Sequence, residues 1–278
     1  MHTFETPGPA TVVVQTVSGR VNITAAEGER TTVELTPLNP AGEEAVARAT
    51  VEQRGNNVVV HLPRHRGGLL RQGPAIDVTI TCPTGTSLDV QTDSADLHAT
   101  GTYAGAVVST GSGDIEVEDV TGVAKLKSGS GTVRAARVDE ALVVSTGSGD
   151  VAVDRSGRSA TLTAGSGDIS VGELAGESTT KTGSGDIEVG VLEGTLLTKT
   201  GSGSLTVRRA SSGTVRATGA SGNISIGIEE GTTAWLDVST VSGRVSQELT
   251  DTDAPGEDQQ RVEIMAQTVS GNVRVHRS

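Results

Sequence analysis

The 278-residue chain carries 22 Lys and Arg against 34 Asp and Glu, a formal net charge of −12, which argues against the clustered basic surface of a nucleic-acid binder. With 37 glycines and one residue each of Phe, Trp and Tyr, the interior must be filled by Val, Ile, Leu and Thr, which suits narrow β-coils better than a bulky core. No segment approaches the ~20 apolar residues of a membrane helix. Met1-His2-Thr3-Phe4-Glu5-Thr6-Pro7 lacks the basic start and apolar stretch of a signal peptide. The expectation is therefore no membrane insertion and a cytoplasmic location, with surface display or secretion only if a leader has been removed.

Residues 1–90 hold strand-like runs at irregular spacing, over 11–15, 31–35, 58–62 and 76–82, and an early Thr16-Val17-Ser18-Gly19-Arg20-Val21. The segment 41–50 (AGEEAVARAT) is the one short helix predicted. Arg64-His65-Arg66 and Arg71 form a short basic stretch that reads as a solvated loop. Cys82 is the only cysteine, so there is no disulfide framework and no metal knuckle. Its apolar surroundings predict a buried structural thiol. This region is expected to shield the first coil, whose strand edges would otherwise invite pairing.

Residues 91–227 repeat with a period of 18. The central glycines Gly113, Gly131, Gly149, Gly167, Gly185 and Gly203 keep this stride, and Ala95 holds the slot one period earlier. Counted from that glycine, positions +2 and +4 are apolar (Ile115/Val117, Val151/Val153, Ile169/Val171, Ile187/Val189) with a polar or small residue between them. This is a half-buried strand. Position +7 (Val120, Val138, Leu174, Leu192, with Ser156 the exception) and +13 (Leu126, Val144, Leu162) are further inward columns, and glycine returns at +9 in Gly122, Gly176 and Gly194. One such unit cannot bury its own columns, so the units must stack. The predicted fold is all-β: a single-stranded parallel β-helix (β-solenoid) of 18-residue coils, capped by the irregular N-terminal β region. Glycine marks corners that need positive φ or leave no room for a Cβ. In Thr146-Gly147-Ser148-Gly149-Asp150, the serine hydroxyl and the aspartate carboxylate are expected to bond neighbouring amides. Residues 228–278 are read as irregular C-terminal coils, interrupted by an acidic loop at 249–260 (LTDTDAPGEDQQ).

The column Asp150, Asp168 and Asp186 at +1 is the one candidate metal site, and calcium is the ion that stacked oxygen ligands would select. Only one corner per 18 residues carries Asp, so corner-capping is the preferred reading and no metal or cofactor is expected. No carboxylate pair and no nucleophile setting for His2, His61, His65, His98 or His276 emerges, so no catalytic residue is assigned. Thr180-Lys181-Thr182 and Thr198-Lys199-Thr200 place Thr-x-Thr on adjacent coils, as ice-binding solenoids do, but the β-propensity of threonine explains them.

The opening Phe4-Glu5-Thr6-Pro7-Gly8-Pro9, the repeated TGSGDI-x-V and the Thr-Val-Ser-Gly copies at both ends resemble the bacterial "putative adhesin" β-strand repeat family, a domain-of-unknown-function group common in actinobacteria. The resemblance covers nearly the whole chain. It implies a right-handed parallel β-helix and an adhesion role, and it implies no catalytic residues. The preferred function is a non-enzymatic binding or scaffolding protein presenting polar ladders (Glu116/Arg134, Lys181/Lys199) to a macromolecule or to another copy, with no nucleic-acid partner. A self-assembling structural protein is the alternative, and a carbohydrate-active β-helix enzyme is third.

Overall fold

Alternation along each strand decides which side chains are inside. Ile115, Val117, Val120, Leu126, Val133, Val138, Val144, Val151, Leu162, Ile169, Leu174, Ile187 and Leu192 are all buried, as their spacing predicts. A further inward column, which the spacing does not single out, lies at +11: Ala124, Leu142, Ala160, Ser178 and Leu196. The computed structural model describes residues 1–63, 73–249 and 260–278. The basic stretch Arg64-His65-Arg66 and Arg71 lies outside the described residues, as does the acidic loop apart from Leu249 and Gln260.

Among the described residues the chain is strand apart from turns and one α-helix, and it divides into two units, Met1–Asp139 and Glu140–Ser278. Each is solenoid-like. In the first, Ile115 pairs in parallel with Leu97 and Val133. In the second, Ile169 pairs with Val151 and Ile187, and Leu162 with Thr180. Equivalent residues 18 apart in sequence therefore stack ~4.8 Å apart, and each inward column becomes a continuous Val/Ile/Leu ladder.

The irregular spacing of residues 1–90 has a topological cause. The early copy around Gly19 stacks directly under the copy around Ala95: Val21 pairs with Leu97, and Val12 with Leu88. On its other side the same coil receives the strands Asn57–His61 and Ala75–Pro83, with Val12 opposite Val58 and Val21 opposite Val78. Stacking order is thus 57–83, then 11–26, then 87–103. Strand Arg30–Pro37 runs antiparallel along the outer edge of Ala75–Pro83, His2–Glu5 runs along Arg30–Pro37, and Thr50–Arg54 covers Asn57–His61. The second unit uses the same device. Strands Arg261–Ser270 and Val273–Arg277 lie between 213–228 on one side and Thr233–Ser242 with Val245–Glu248 on the other.

The helix spans Pro40–Ala47, with Asn39 as N-cap accepting from the Gly42 amide at 2.7 Å and Pro40 opening the first turn. It ends short of the expected 41–50 because Thr50 opens the strand Thr50–Arg54. Cys82 is buried, and burial pushes its thiol up to about 11. Tyr103, fully buried, donates to the Ile23 and Thr100 carbonyls, and burial raises its phenol likewise.

Thr180 and Thr198 occupy the inward +13 column, fully buried, with hydroxyls that bond nothing among the described residues. They are therefore not a surface threonine array. Thr180→Val and Thr198→Val should each raise stability in urea by about 1 kcal/mol, since an unsatisfied buried hydroxyl is removed at nearly constant shape. Thr182→Val, whose hydroxyl donates to the Gly167 carbonyl, should lower it by a similar amount. A second prediction concerns pH. The folded state holds the Cys82 proton up to about 11, above the ordinary thiol value of 9.0, so that contribution is complete below pH 9 and lost as pH rises towards 11. The urea midpoint should fall across this window, less steeply in Cys82→Ala.

Candidate functional site

The corner is built from four interactions. First, the central glycine of each coil lies against the carbonyl of the coil before it. A Cβ at Gly113 would sit 2.0 Å from the Ala95 oxygen, at Gly131 2.0 Å from Gly113, at Gly167 1.9 Å from Gly149, at Gly185 2.2 Å from Gly167, and at Gly203 2.0 Å from Gly185. Gly113, Gly131, Gly167 and Gly185 do not have positive φ, so close approach alone selects glycine there. Second, a buried hydroxyl three residues earlier accepts from the glycine amide: Thr92 to Ala95 at 2.8 Å, Thr110 to Gly113 at 3.0 Å, Ser128 to Gly131 at 2.8 Å and Thr146 to Gly149 at 3.1 Å. Third, such a hydroxyl donates to the preceding coil's glycine carbonyl, as Ser128 does to Gly113 and Thr182 to Gly167, each at 3.0 Å. The hydroxyl is thus the threonine of TGSGD and not the serine: Ser148 is exposed.

The fourth interaction uses the aspartates. Asp150 Oδ1 accepts from the Asp168 amide at 2.9 Å, Asp168 from Asp186 at 2.8 Å, and Asp186 from Ser204 at 2.7 Å. In the first unit Asp96 accepts from Asp114 and Asp114 from Thr132. Where the period slips, asparagine takes over: Asn223 accepts from the Asn272 amide and Asn272 from the Arg244 amide, both at 2.9 Å. Asp114, Asp150, Asp168 and Asp186 are exposed and Asp96 is half-buried, and each stitches one coil to the next. Among the described residues no three His, Cys, Asp or Glu side chains converge on a point a metal ion could occupy.

The outward columns carry the charge. Glu116 lies in register between His98 and Arg134 and pairs with His98 at 2.9 Å. Four arginines of the strands that follow the corner are neutralised, Arg20 by Asp77 at 3.0 Å, Arg137 by Asp139 at 2.7 Å, Arg155 by Glu173 at 3.3 Å and Arg208 by Glu188, while Arg134 has no ion pair among the described residues. The Asp139 and Glu140 carboxylates hold the Arg137 and Arg158 guanidinium groups further towards the charged form. The lysines differ. The chain has four, Lys125, Lys127, Lys181 and Lys199; all are exposed on the strand that precedes the corner. Lys181 and Lys199 are register neighbours. Among the described residues no lysine lies within ion-pair distance of a carboxylate.

Each unit has a surface groove beside this column. In the second it is lined by Thr163, Lys181, Lys199, Thr218, Gly183 and Gly201. In the first, Gln15, His61, Gln91, Ser109 and Lys127 form the polar wall, with His61 Nδ1 2.9 Å from Gln15 Oε1. Sequence reasoning found the Lys181/Lys199 pair but missed the Gln15/His61/Gln91 wall, whose members join only through the out-of-order stacking. It also missed Ser225 Oγ, which lies 3.4 Å from His276 Nε2. That contact is long, and His276 Nδ1 faces the Arg277 carbonyl at 2.7 Å and no carboxylate, so it lacks the orienting acid of a nucleophile–base pair.

Asp168→Asn keeps the accepting oxygen and should leave stability within ~0.5 kcal/mol of wild type, whereas Asp168→Ala should lower it by about 1 kcal/mol. Gly167→Ala should cost at least about 2 kcal/mol, because a backbone carbonyl has nowhere to move. Melting curves with calcium and with chelator should superimpose.

Three solved structures illustrate what the chain is similar to. One is a "putative adhesin" from Bacteroides fragilis, 12% identical, covering 99% of this chain and 95% of that one at a TM-score of 0.41. Another is a "putative adhesin" from Parabacteroides distasonis, 9% identical, with 99% and 95% covered and a TM-score of 0.36. The third is a "putative cell adhesion protein" from Clostridium sporogenes, 10% identical, with 100% and 98% covered and a TM-score of 0.29. No curated protein matches the chain. The family model described as Toastrack DUF4097 matches residues 10–278. With nearly its whole length matched, the chain belongs to the Toastrack DUF4097 family.

Proposed function

We propose that this protein is a non-enzymatic binding or scaffolding module, built of right-handed coils, that presents the strand before the corner to an anionic macromolecular partner. The lysines carry the reading. In a chain of net charge −12, all four fall on outward positions of that strand, uncompensated, while Arg20, Arg137, Arg155 and Arg208 of the opposite strands are held by carboxylates. A lysine ion pair at the surface contributes little to folding, so leaving lysines unpaired there costs the fold nothing and keeps them free for a partner's charge. The hydroxyls of Thr163 and Thr218 flank Lys181 and Lys199 in one groove and add hydrogen-bonding groups to a fixed charge spacing. The carboxylates of the corner are engaged with backbone amides, which supports a structural duty for them and no acid–base chemistry.

The test is a titration of the full chain with linear polyanions, polyphosphate and poly-glutamate, at low and moderate salt. Wild type should bind at least one, and Lys181→Glu with Lys199→Glu should weaken binding at least tenfold. Arg155→Glu, at a neutralised position, should change it less than twofold. Equal losses in both variants, or no binding of either polyanion by wild type, would sink the reading.

A further inference from the structure

The outermost coil of the second unit differs from the others in having nothing on its far side among the described residues. Strand Thr233–Ser242 pairs only with Arg261–Ser270, and Val245–Glu248 only with Val273–Arg277. Its inward residues show the consequence. Leu236 and Val238 are half-buried, and Val245 is 38% exposed, although their register partners Ile264, Ala266 and Val273 are fully buried. Trp235, the chain's only tryptophan, is 58% exposed and Val241 84% exposed on the same strand. A free, apolar strand edge of this kind is a template for pairing. In the first unit, by contrast, the outermost coil is covered on both edges by antiparallel strands.

We infer that this uncovered coil is a dimer interface whose occupant is the same coil of a second copy, related by a two-fold axis. Side-chain complementarity favours this partner. Antiparallel pairing of the strand with itself about Val238 sets Trp235 opposite the second copy's Val241, and Leu236 opposite its Thr240. The exposed aromatic is then covered by the exposed valine, and residues directly opposite share a face. On the neighbouring strand, self-pairing about Ser246 sets Arg244 opposite Glu248. Arg244 has no carboxylate partner in its own chain among the described residues. Glu248 already lies 2.7 Å from Arg274, which lowers its carboxyl, so a second guanidinium would complete a charged triad. A two-fold interface is self-complementary and closes. The expected product is a dimer, and growth stops there.

Sedimentation of the full chain across concentration tests this. Wild type should run as a dimer at micromolar concentration. Trp235→Lys with Arg244→Glu should run as a monomer, dissociating at least a hundredfold more readily. Both side chains are exposed and, among the described residues, without ion-pair partners, so the variant should keep the wild-type circular dichroism and melting temperature. Polyanion binding measured on the monomeric variant separates this inference from the proposed function, since the lysine column is untouched. A wild type that stays monomeric, a variant that stays dimeric, or wild-type oligomers that grow without limit would each overturn the proposal.

Discussion

The close approach of one coil's corner carbonyl to the α-carbon of the glycine stacked on it governs both units. At 1.9–2.2 Å from a would-be Cβ, that carbonyl leaves room for hydrogen alone, and coil after coil must present glycine at one place. Once it does, stacked backbones approach closely enough for parallel ladders on both sides of the corner. The buried hydroxyl of Thr110, Ser128 or Thr182 can then reach a glycine amide or carbonyl, and the Asp168 carboxylate the next coil's amide. Polar groups that would be orphaned at a sharp corner are satisfied by neighbours above and below. The stability of the stack is therefore shared between its Val/Ile/Leu ladders and a column of short hydrogen bonds.

The same constraint explains how coils far apart in sequence can be neighbours. A Cβ at Gly271 would meet the Gly222 oxygen at 2.0 Å, and one at Gly243 the Gly271 oxygen at 1.9 Å. The glycine column thus runs through copies that do not follow one another along the chain. In each unit, a segment from the edge of the coil-forming sequence sits one place in from the end of the stack. The outermost coil is then a chain-internal segment tethered at both of its ends, which resists fraying more than a terminal strand would.

Polar groups outside the stack are sorted by strand. Arginine–carboxylate pairs such as Arg155–Glu173 line the strand after the corner, while lysines and threonines occupy the strand before it. The sorting is invisible to overall charge. A net −12 describes the molecule's mean field and says nothing of a column on which Lys181 and Lys199 stand uncompensated.

Within 91–227, the sequence alone determines the coil: one stride and one alternation decide which residues face inward, and every such column is buried. The glycine and aspartate columns were legible for the same reason, because a repeat writes each local contact several times. Tertiary structure decided what is written once. The order of stacking in residues 1–90, the interleaving of 261–277 and the Gln15/His61/Gln91 wall all depend on which coil lies on which. Local propensity does not encode that order, since any coil presenting a glycine and a Val/Ile column could stack on any other. Only the matching of particular long-range partners, Val21 with Leu97 and Val273 with Ile224, selects among them.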